Sequence, residues 1–338
     1  MLNCSRTCLI LLAMCLLAGP FAAMGQRAAA STEATPVPAA SQEQELRSLL
    51  ESCDAVFGVI IIDPEDQIVF EENPDVPFVS ASLYKLVLLA EILDRVEAGE
   101  LALDQLVPIS SDFYLIANGD DSYFAYEAVG TSATIEELVY SAGAYSSNVG
   151  AQALMSLTSP ERLDAFAAEL GLNETHYWVQ AGEVQDHYAS TSDSKGSTDY
   201  AQSVEFVESA AGDDVINVTT PRDMATFFRL LRDDRLISPL VSWRIKQVLS
   251  ARVINDRIPA LLPASAETIH KTGNLDGVIH DAGIVETQSG PVVVIAMAQA
   301  AMDADMTYLV EQRLGLFGYQ LGSGEEPSSS PEATPAAS

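Results

Sequence analysis

Lysine is scarce in this 338-residue chain, which holds only Lys85, Lys195, Lys246 and Lys271. Two of the four stand where they could do chemistry. In Ser82-Leu83-Tyr84-Lys85 a hydroxyl and an ammonium are three residues apart, where an extended segment, 76–81, meets an apolar helical run. Residues at that spacing share a helical face, so the two groups lie side by side. Leu86, Val87, Leu88 and Leu89 would desolvate the ammonium and lower its pKa toward that of a usable base. The helix N-terminus adds a positive dipole suited to a developing oxyanion. An N-cap serine beside a surface lysine would have the same letters, and a second match, Ser192-Asp193-Ser194-Lys195, sits in polar sequence with no apolar helix behind it.

Two further groups add to the first. Tyr145-Ser146-Ser147-Asn148 falls between helical patterns and offers a second hydroxyl and a carboxamide; a polar interhelical turn is its plainer reading. His270-Lys271-Thr272-Gly273 ends a strand-like run, where a simple glycine turn would also fit. Taken in order, Ser-x-x-Lys, Ser-x-Asn 64 residues later and Lys-Thr-Gly near the C-terminus form a triple that separate coincidences explain poorly. Other chemistries lack their residues. His176, His187, His270 and His280 form no H-E-x-x-H or other close ligand pair, so no metal site is expected. No G-x-S-x-G elbow occurs, and nothing supports a histidine triad or a cofactor.

The ordered triple resembles the penicillin-recognising serine hydrolases, and among them class A β-lactamases most closely, a family defined by this motif set. The resemblance runs over roughly residues 45–320 and includes 78–85, Thr219-Thr220-Pro221-Arg222-Asp223-Met224, Lys271-Thr272-Gly273-Asn274 and Asp281-Ala282-Gly283-Ile284. It implies an α+β fold, an antiparallel sheet flanked by helices with an inserted all-helical subdomain and the active site between them. It implies Ser82 as nucleophile, Lys85 as its base and Ser146 as proton shuttle to the leaving nitrogen. Asn148 would hold the substrate's side-chain amide, and Lys271, Thr272 and Gly273 would receive its carboxylate. The oxyanion would rest on the backbone N–H groups of Ser82 and Asn274. Arg257, fourteen residues before Lys271, matches an arginine that some family members place near that carboxylate. Two departures stand out. Ser147 occupies the place of the family's usual aspartate, and the loop expected to carry a deacylating Glu-x-x-x-Asn has Glu183 as its nearest acid, with His187 where asparagine belongs. Glu174, Glu205 and Glu208 are further acids within that enlarged loop.

These groups need elements to hold them. The pattern predicts a helix over Gln42–Cys53, a hairpin of Val56–Ile62 and Gln67–Phe70 about Asp63-Pro64-Glu65-Asp66, and a helix over Leu83–Ala98 stopped by Gly99. Further helices are expected over 134–157, 160–170, 221–233, 238–250 and Thr307–Phe317, and strands at Ile269–His270, Ala282–Glu286 and 291–299. Strands from both chain ends bracket a helical middle, as an α+β sheet requires. Between Asn173 and Val218 periodicity fades, and residues 161–220 hold twelve acids against Arg162 and Lys195, so most of that stretch reads as a long solvated loop.

Composition sets the boundaries. A formal charge of −31 argues against nucleic acid and anionic lipid as partners, while 48% apolar residues exclude wholesale disorder. Residues 1–25 read as a secretory signal peptide, or as an uncleaved anchor, placing the domain outside the cytoplasm. Residues 26–41 read as a disordered Ala/Thr/Pro linker, 42–321 as the domain and 322–338 as a disordered tail. Cys4, Cys8 and Cys15 would leave with the leader, and Cys53 alone cannot form an intrachain disulfide. The expectation is a secreted, periplasmic or cell-surface monomer without cofactor, acting on a β-lactam or a peptidoglycan-derived molecule. The alternatives are a D-Ala-D-Ala peptidase or esterase with slow deacylation, and an inactive binding module.

Overall fold

Val56–Ile62 (β1) is seven apolar residues in a row, a pattern that suits a strand covered on both faces. The computed structural model describes residues 39–116, 121–180, 183, 197–211 and 215–323; the expected leader, most of the linker and most of the tail lie outside them. In it β1 pairs with Ile68–Glu72 (β2) and with Val292–Gln299 (β10), within a five-stranded antiparallel sheet of order β2-β1-β10-β9-β8. Here β8 is Thr268–Leu275 and β9 is Val278–Val285. Side chains alternate across β1 and β10. Phe57, Val59, Ile61, Val294 and Ala296 pack with Leu46, Leu50, Val310, Leu314 and Phe317 of two helices, Ala39–Glu51 (α1) and the C-terminal Ala304–Ser323. Val56, Ile60, Ile62, Val293, Ile295 and Met297 join the larger core with the remaining helices.

That larger core is organised around Tyr84–Glu97 (α2), whose residues from Lys85 to Leu93 are all buried. A helix apolar on every side must be central. Around it lie Phe113–Ile116 (α3), Ile135–Ala144 (α4), Asn148–Met155 (α5), Pro160–Glu169 (α6), Pro221–Arg232 (α8) and Pro239–Ser250 (α9), with α4, α5, α6 and α9 packed directly on it. Three of these starts repeat one device: Ser159, Thr220 and Ser238 cap the helix from an extended backbone, and proline follows at the first helical position. Short strands Leu106–Pro108 (β4) and Ser132–Thr134 (β5) pair with each other.

The loop expected over 173–218 is a correction. It contains His176–Gln180 (β6), Thr198–Ala211 (α7) and Val215–Thr219 (β7), and β7 lies between β6 and Phe78–Val79 (β3) in a second small sheet. Tyr200, Val204, Val207 and Ala211 form the buried face of α7 at helical spacing, while Glu205 is exposed, Glu208 half-buried and Asp199 half-buried as acceptor of the Asn73 side-chain amide. Part of the acidity that suggested a solvated loop sits on ordered elements, such as Glu205 on α7 and Glu161 and Glu169 on α6. The helical pattern over 134–157 divides into α4 and α5 at 145–147, the interhelical turn expected there, and the C-terminal helix (α10) begins at Ala304 and reaches Ser323.

Candidate functional site

Ser82 sits in a single 3-10 turn, Ala81–Leu83, between β3 and α2. Ala81 has φ of +44°, a left-handed backbone that a non-glycine residue adopts only when its surroundings hold it there. Here the surroundings are specific. The Val79 N–H donates to Gln299 Oε1 at 3.0 Å, the Ser80 N–H to Asn217 O at 2.8 Å, and His280 Nε2 to Val79 O at 2.8 Å. His280 can do this as a neutral ring, since burial lowers its pKa to about 4. The strand β8 closes in from the other side. A Cβ placed on Gly273 would lie 3.1 Å from Ala81 Cβ and 3.3 Å from Ser82 N, so a side chain there would crowd β8 against the nucleophile turn.

Lys85 follows one turn later and is fully buried. Its Nζ donates to Ser146 O at 2.6 Å, to Asn148 Oδ1 at 2.8 Å and, weakly, to Ser146 Oγ at 3.4 Å. Burial pulls its pKa down to about 7; Asp121 opposes the shift and Arg252 adds to it. Lys271, also fully buried, donates to Ser146 Oγ at 2.8 Å and to Thr272 O at 2.7 Å. Its pKa is pushed well below the ordinary lysine value, first by burial and then by Arg252 and Lys85. Two lysine amines therefore donate to one hydroxyl oxygen, which leaves the Ser146 proton free to be given to something else.

Ser146 reaches both lysines because its backbone turns left-handed, φ +59°, between α4 and α5. That turn is held from outside its own motif. Asp121 Oδ1 accepts from Ser147 Oγ at 2.7 Å and from Phe124 N at 2.9 Å, and its Oδ2 accepts from Asn148 N at 2.7 Å and Val149 N at 3.0 Å. Burial alone would raise its pKa, but these bonds outweigh it and hold the carboxyl below its ordinary value. Position 147 lacks the family's aspartate, and a carboxylate arrives instead from a distant segment. Its one sequence signal was Asp121-Ser122, an ordinary Asx turn.

The expected site residues divide clearly. Ser82, Lys85, Ser146, Asn148, Lys271, Thr272, Gly273 and Asn274 come together on α2, the α4–α5 turn and β8. Arg257 does not face Thr272: it donates to His280 O at 2.7 Å, to Tyr308 Oη at 3.1 Å and to Asn274 Oδ1, beside the buried Glu311. The arginine on Thr272 is Arg252, which no motif flagged. Glu183 also stays apart. It is exposed in a turn after β6, and its carboxylate accepts the Gln180 N–H at 3.2 Å.

A cleft of about 420 Å³ opens over the nucleophile. Ser82, Asn148 and Asn274 meet it on one side, and Trp178, Ile216 and Asn217 on the other. None of the described side chains lining it is a carboxylate. Trp178 is half exposed and held at φ +57° in a bulge of β6, with its N–H on Asn217 Oδ1 at 3.1 Å. Among the described residues no group of three His, Cys, Asp or Glu could hold a metal ion.

Sheet, helical subdomain and lysine–serine cluster together define a penicillin-recognising type of fold, and the chain belongs to the beta-lactamase enzyme family, whose profile it matches over residues 41–316. It is 23% identical over 270 residues to the extended-spectrum beta-lactamase PER-1 of Pseudomonas aeruginosa, covering 75% of this chain and 78% of that protein. It is 22% identical over 255 residues to the beta-lactamase regulatory protein BlaB of Streptomyces cacaoi, covering 69% and 81%. Among solved structures, the beta-lactamase of Sphaerobacter thermophilus superposes with a TM-score of 0.69 at 20% identity, over 86% of this chain and all of that one. A PBP-A variant in acyl-enzyme complex with penicillin G superposes with a TM-score of 0.66 at 20% identity, over 83% and 96%.

Proposed function

We propose that the protein is a serine hydrolase that opens a β-lactam amide by forming an acyl-enzyme on Ser82 and releases the acyl group slowly. The observation that carries this reading is the desolvated Lys85, with its pKa at about 7, one helical turn from Ser82 and bonded to Ser146 and Asn148. An ordinary lysine is neutral in roughly one molecule in two thousand at pH 7. Lys85 is neutral in about half, so it can take the Ser82 proton as the oxygen attacks. The oxyanion falls to the N–H groups of Ser82 and Asn274, brought close by Gly273. Ser146 gives its proton to the departing nitrogen and is resupplied by Lys271. The substrate carboxylate rests on Thr272 beside Lys271.

Slow release follows from the lining of the cleft, where the described residues offer amides and apolar groups but no base to activate water. The chain thus fits an enzyme that acylates readily and turns over poorly, whether its natural acyl donor is a β-lactam or a peptidoglycan-derived amide. Intact-mass spectrometry after treatment with benzylpenicillin tests it. A covalent adduct on Ser82, absent in Ser82→Ala, is expected. Absence of any adduct and of any turnover of a chromogenic cephalosporin would leave a binding or regulatory role, such as the name of BlaB describes for that relative.

A further inference from the structure

The helix α7 lies in the acidic stretch that no motif marked, yet it ends up bonded to the strand that leads into Ser82. Ser203 is fully buried on it and donates its hydroxyl proton to Pro77 O, just ahead of β3. Ser203 Oγ in turn accepts from Nε2 of Gln299, the last residue of β10 and also fully buried. Gln299 Nε2 donates as well to Pro77 O at 3.0 Å, and its Oε1 accepts the Val79 N–H at 3.0 Å. An amide nitrogen has two protons and a hydroxyl one, so this hub has no spare donor to replace a lost partner. Removing the Ser203 hydroxyl would orphan polar groups at full burial, where that is costly enough to shift the backbone they hold.

The same helix meets the strand on the far side of the nucleophile. A Cβ placed on Gly277, in the β8–β9 turn at φ +67°, would lie 3.2 Å from Phe206 Cε2, so the Phe206 ring rests against that turn. Ser203 and Phe206 are three residues apart and leave one face of α7. That face touches both backbones that carry the oxyanion amides: β3, which runs into Ser82, and the turn that ends β8, three residues past Asn274. Asp199 pins the first turn of the helix by accepting from Asn73 Nδ2 at 2.8 Å.

We propose that α7 is a strut that sets the spacing of the two oxyanion amides, with Ser203, Gln299 and Phe206 as positioning residues for acylation, a role that rests on the acyl-enzyme reading above. Such amides act on charge that develops in the transition state, so misplacing one slows the step while substrate binding stays nearly intact. Lys85 and Lys271 make their hydrogen bonds to Ser146, Asn148 and Thr272 and to none of the strut residues, so the base is left as it was.

Rates of Ser82 labelling, followed by intact mass over a range of benzylpenicillin concentrations, test the proposal. Ser203→Ala should lower the limiting rate about tenfold, short of the roughly 10²–10³-fold cost of removing an oxyanion donor outright. The half-saturating concentration should change less than about twofold. Gln299→Met should slow the step further, and adding Ser203→Ala to it should cost little more, because both act through one hub. Phe206→Ala, at a half-buried position, should fold and show a smaller loss of the same kind. In every variant the rise with pH should stay centred near about 7, where the buried Lys85 loses its proton. Ser238→Ala, which weakens the cap of α9 beside Glu97 at the opposite end of α2 from Ser82, should lose stability and keep the parent rate. Parent rates in both Ser203→Ala and Phe206→Ala, a half-saturating concentration that rises as much as the rate falls, a moved pH midpoint, or an equal loss in Ser238→Ala overturns the proposal. Any of these with the parent still labelled leaves the acyl-enzyme reading standing, whereas no labelling of the parent sinks both.

Discussion

The two walls of the cleft are built on different principles. Behind one wall, which Ser82, Asn148 and Asn274 line, Lys85, Ser146 and Lys271 form a chain of hydrogen bonds in which both lysines are fully buried and the turn is locked by Asp121. On the other, β6 and β7 present Trp178, Val215, Ile216 and Asn217, without a charged group. On the acyl-enzyme reading, the first supplies the base, the proton donor and the oxyanion amides. The second is where a water-activating group could stand, and its described residues hold none. By the same reading, the first wall carries the acylating half of a hydrolytic cycle, and the described residues of the second carry no group for the deacylating half.

The largest effects should come from breaking the first wall. Ser82→Ala should abolish covalent labelling outright, and Lys85→Met should slow acylation by about 10²–10⁴-fold, the usual contribution of a positioned general base. Labelling of Lys85→Met at the parent rate would mean that another group takes the Ser82 proton. Acylation in the parent protein should rise with pH through about 7, as the buried Lys85 loses its proton, and then level. A profile still climbing toward pH 10 would show that Lys85 titrates as an ordinary lysine.

Asp121 tests whether the first wall owes its geometry to a remote carboxylate. Asp121→Ala leaves the Asn148, Val149 and Phe124 N–H groups without their acceptor and should cost about 2–3 kcal/mol of stability in chemical denaturation, with slower acylation. The folded pKa of Asp121 lies below its unfolded value. Its contribution is therefore present above the unfolded carboxylate value of about 4 and is lost as pH falls through the lower folded one. The difference between parent and Asp121→Asn should accordingly shrink in acid. A constant difference across that range would remove the carboxylate charge from the account.

Smaller effects belong to the second wall. Asn217→Asp keeps the acceptor for the Trp178 N–H and adds a carboxylate to the cleft lining. Release of the acyl group should quicken, by up to about tenfold for a base not ideally placed, with acylation little changed. Glu183→Gln should change neither step, because that carboxylate is exposed and engaged with Gln180 N–H. Accumulation of acyl-enzyme in Glu183→Gln beyond the parent level would restore it to the mechanism.

What the sequence showed of this site tracks how local each determinant is. Ser82 and Lys85 share one helical turn, Lys271 to Asn274 lie on one strand, and the capped starts at Pro160, Pro221 and Pro239 announce their own helices. Such features are set by neighbours in the chain and can be read from spacing. Asp121 and Arg252 act across 26 and 20 residues of sequence through single side chains, and no periodicity marks them. Their roles exist only once α4, α5 and β8 have met. The acidic stretch around α7 misled for a different reason: acids on a helix look, in a count, like acids on a loop.

Time-resolved intact-mass measurement of the parent protein with benzylpenicillin tests the central claim most directly. The account predicts near-complete conversion to a single adduct on Ser82 that persists long after free penicillin is removed. Rapid consumption of penicillin with no accumulated adduct would contradict it, because it would require an efficient deacylating base that the described walls do not contain.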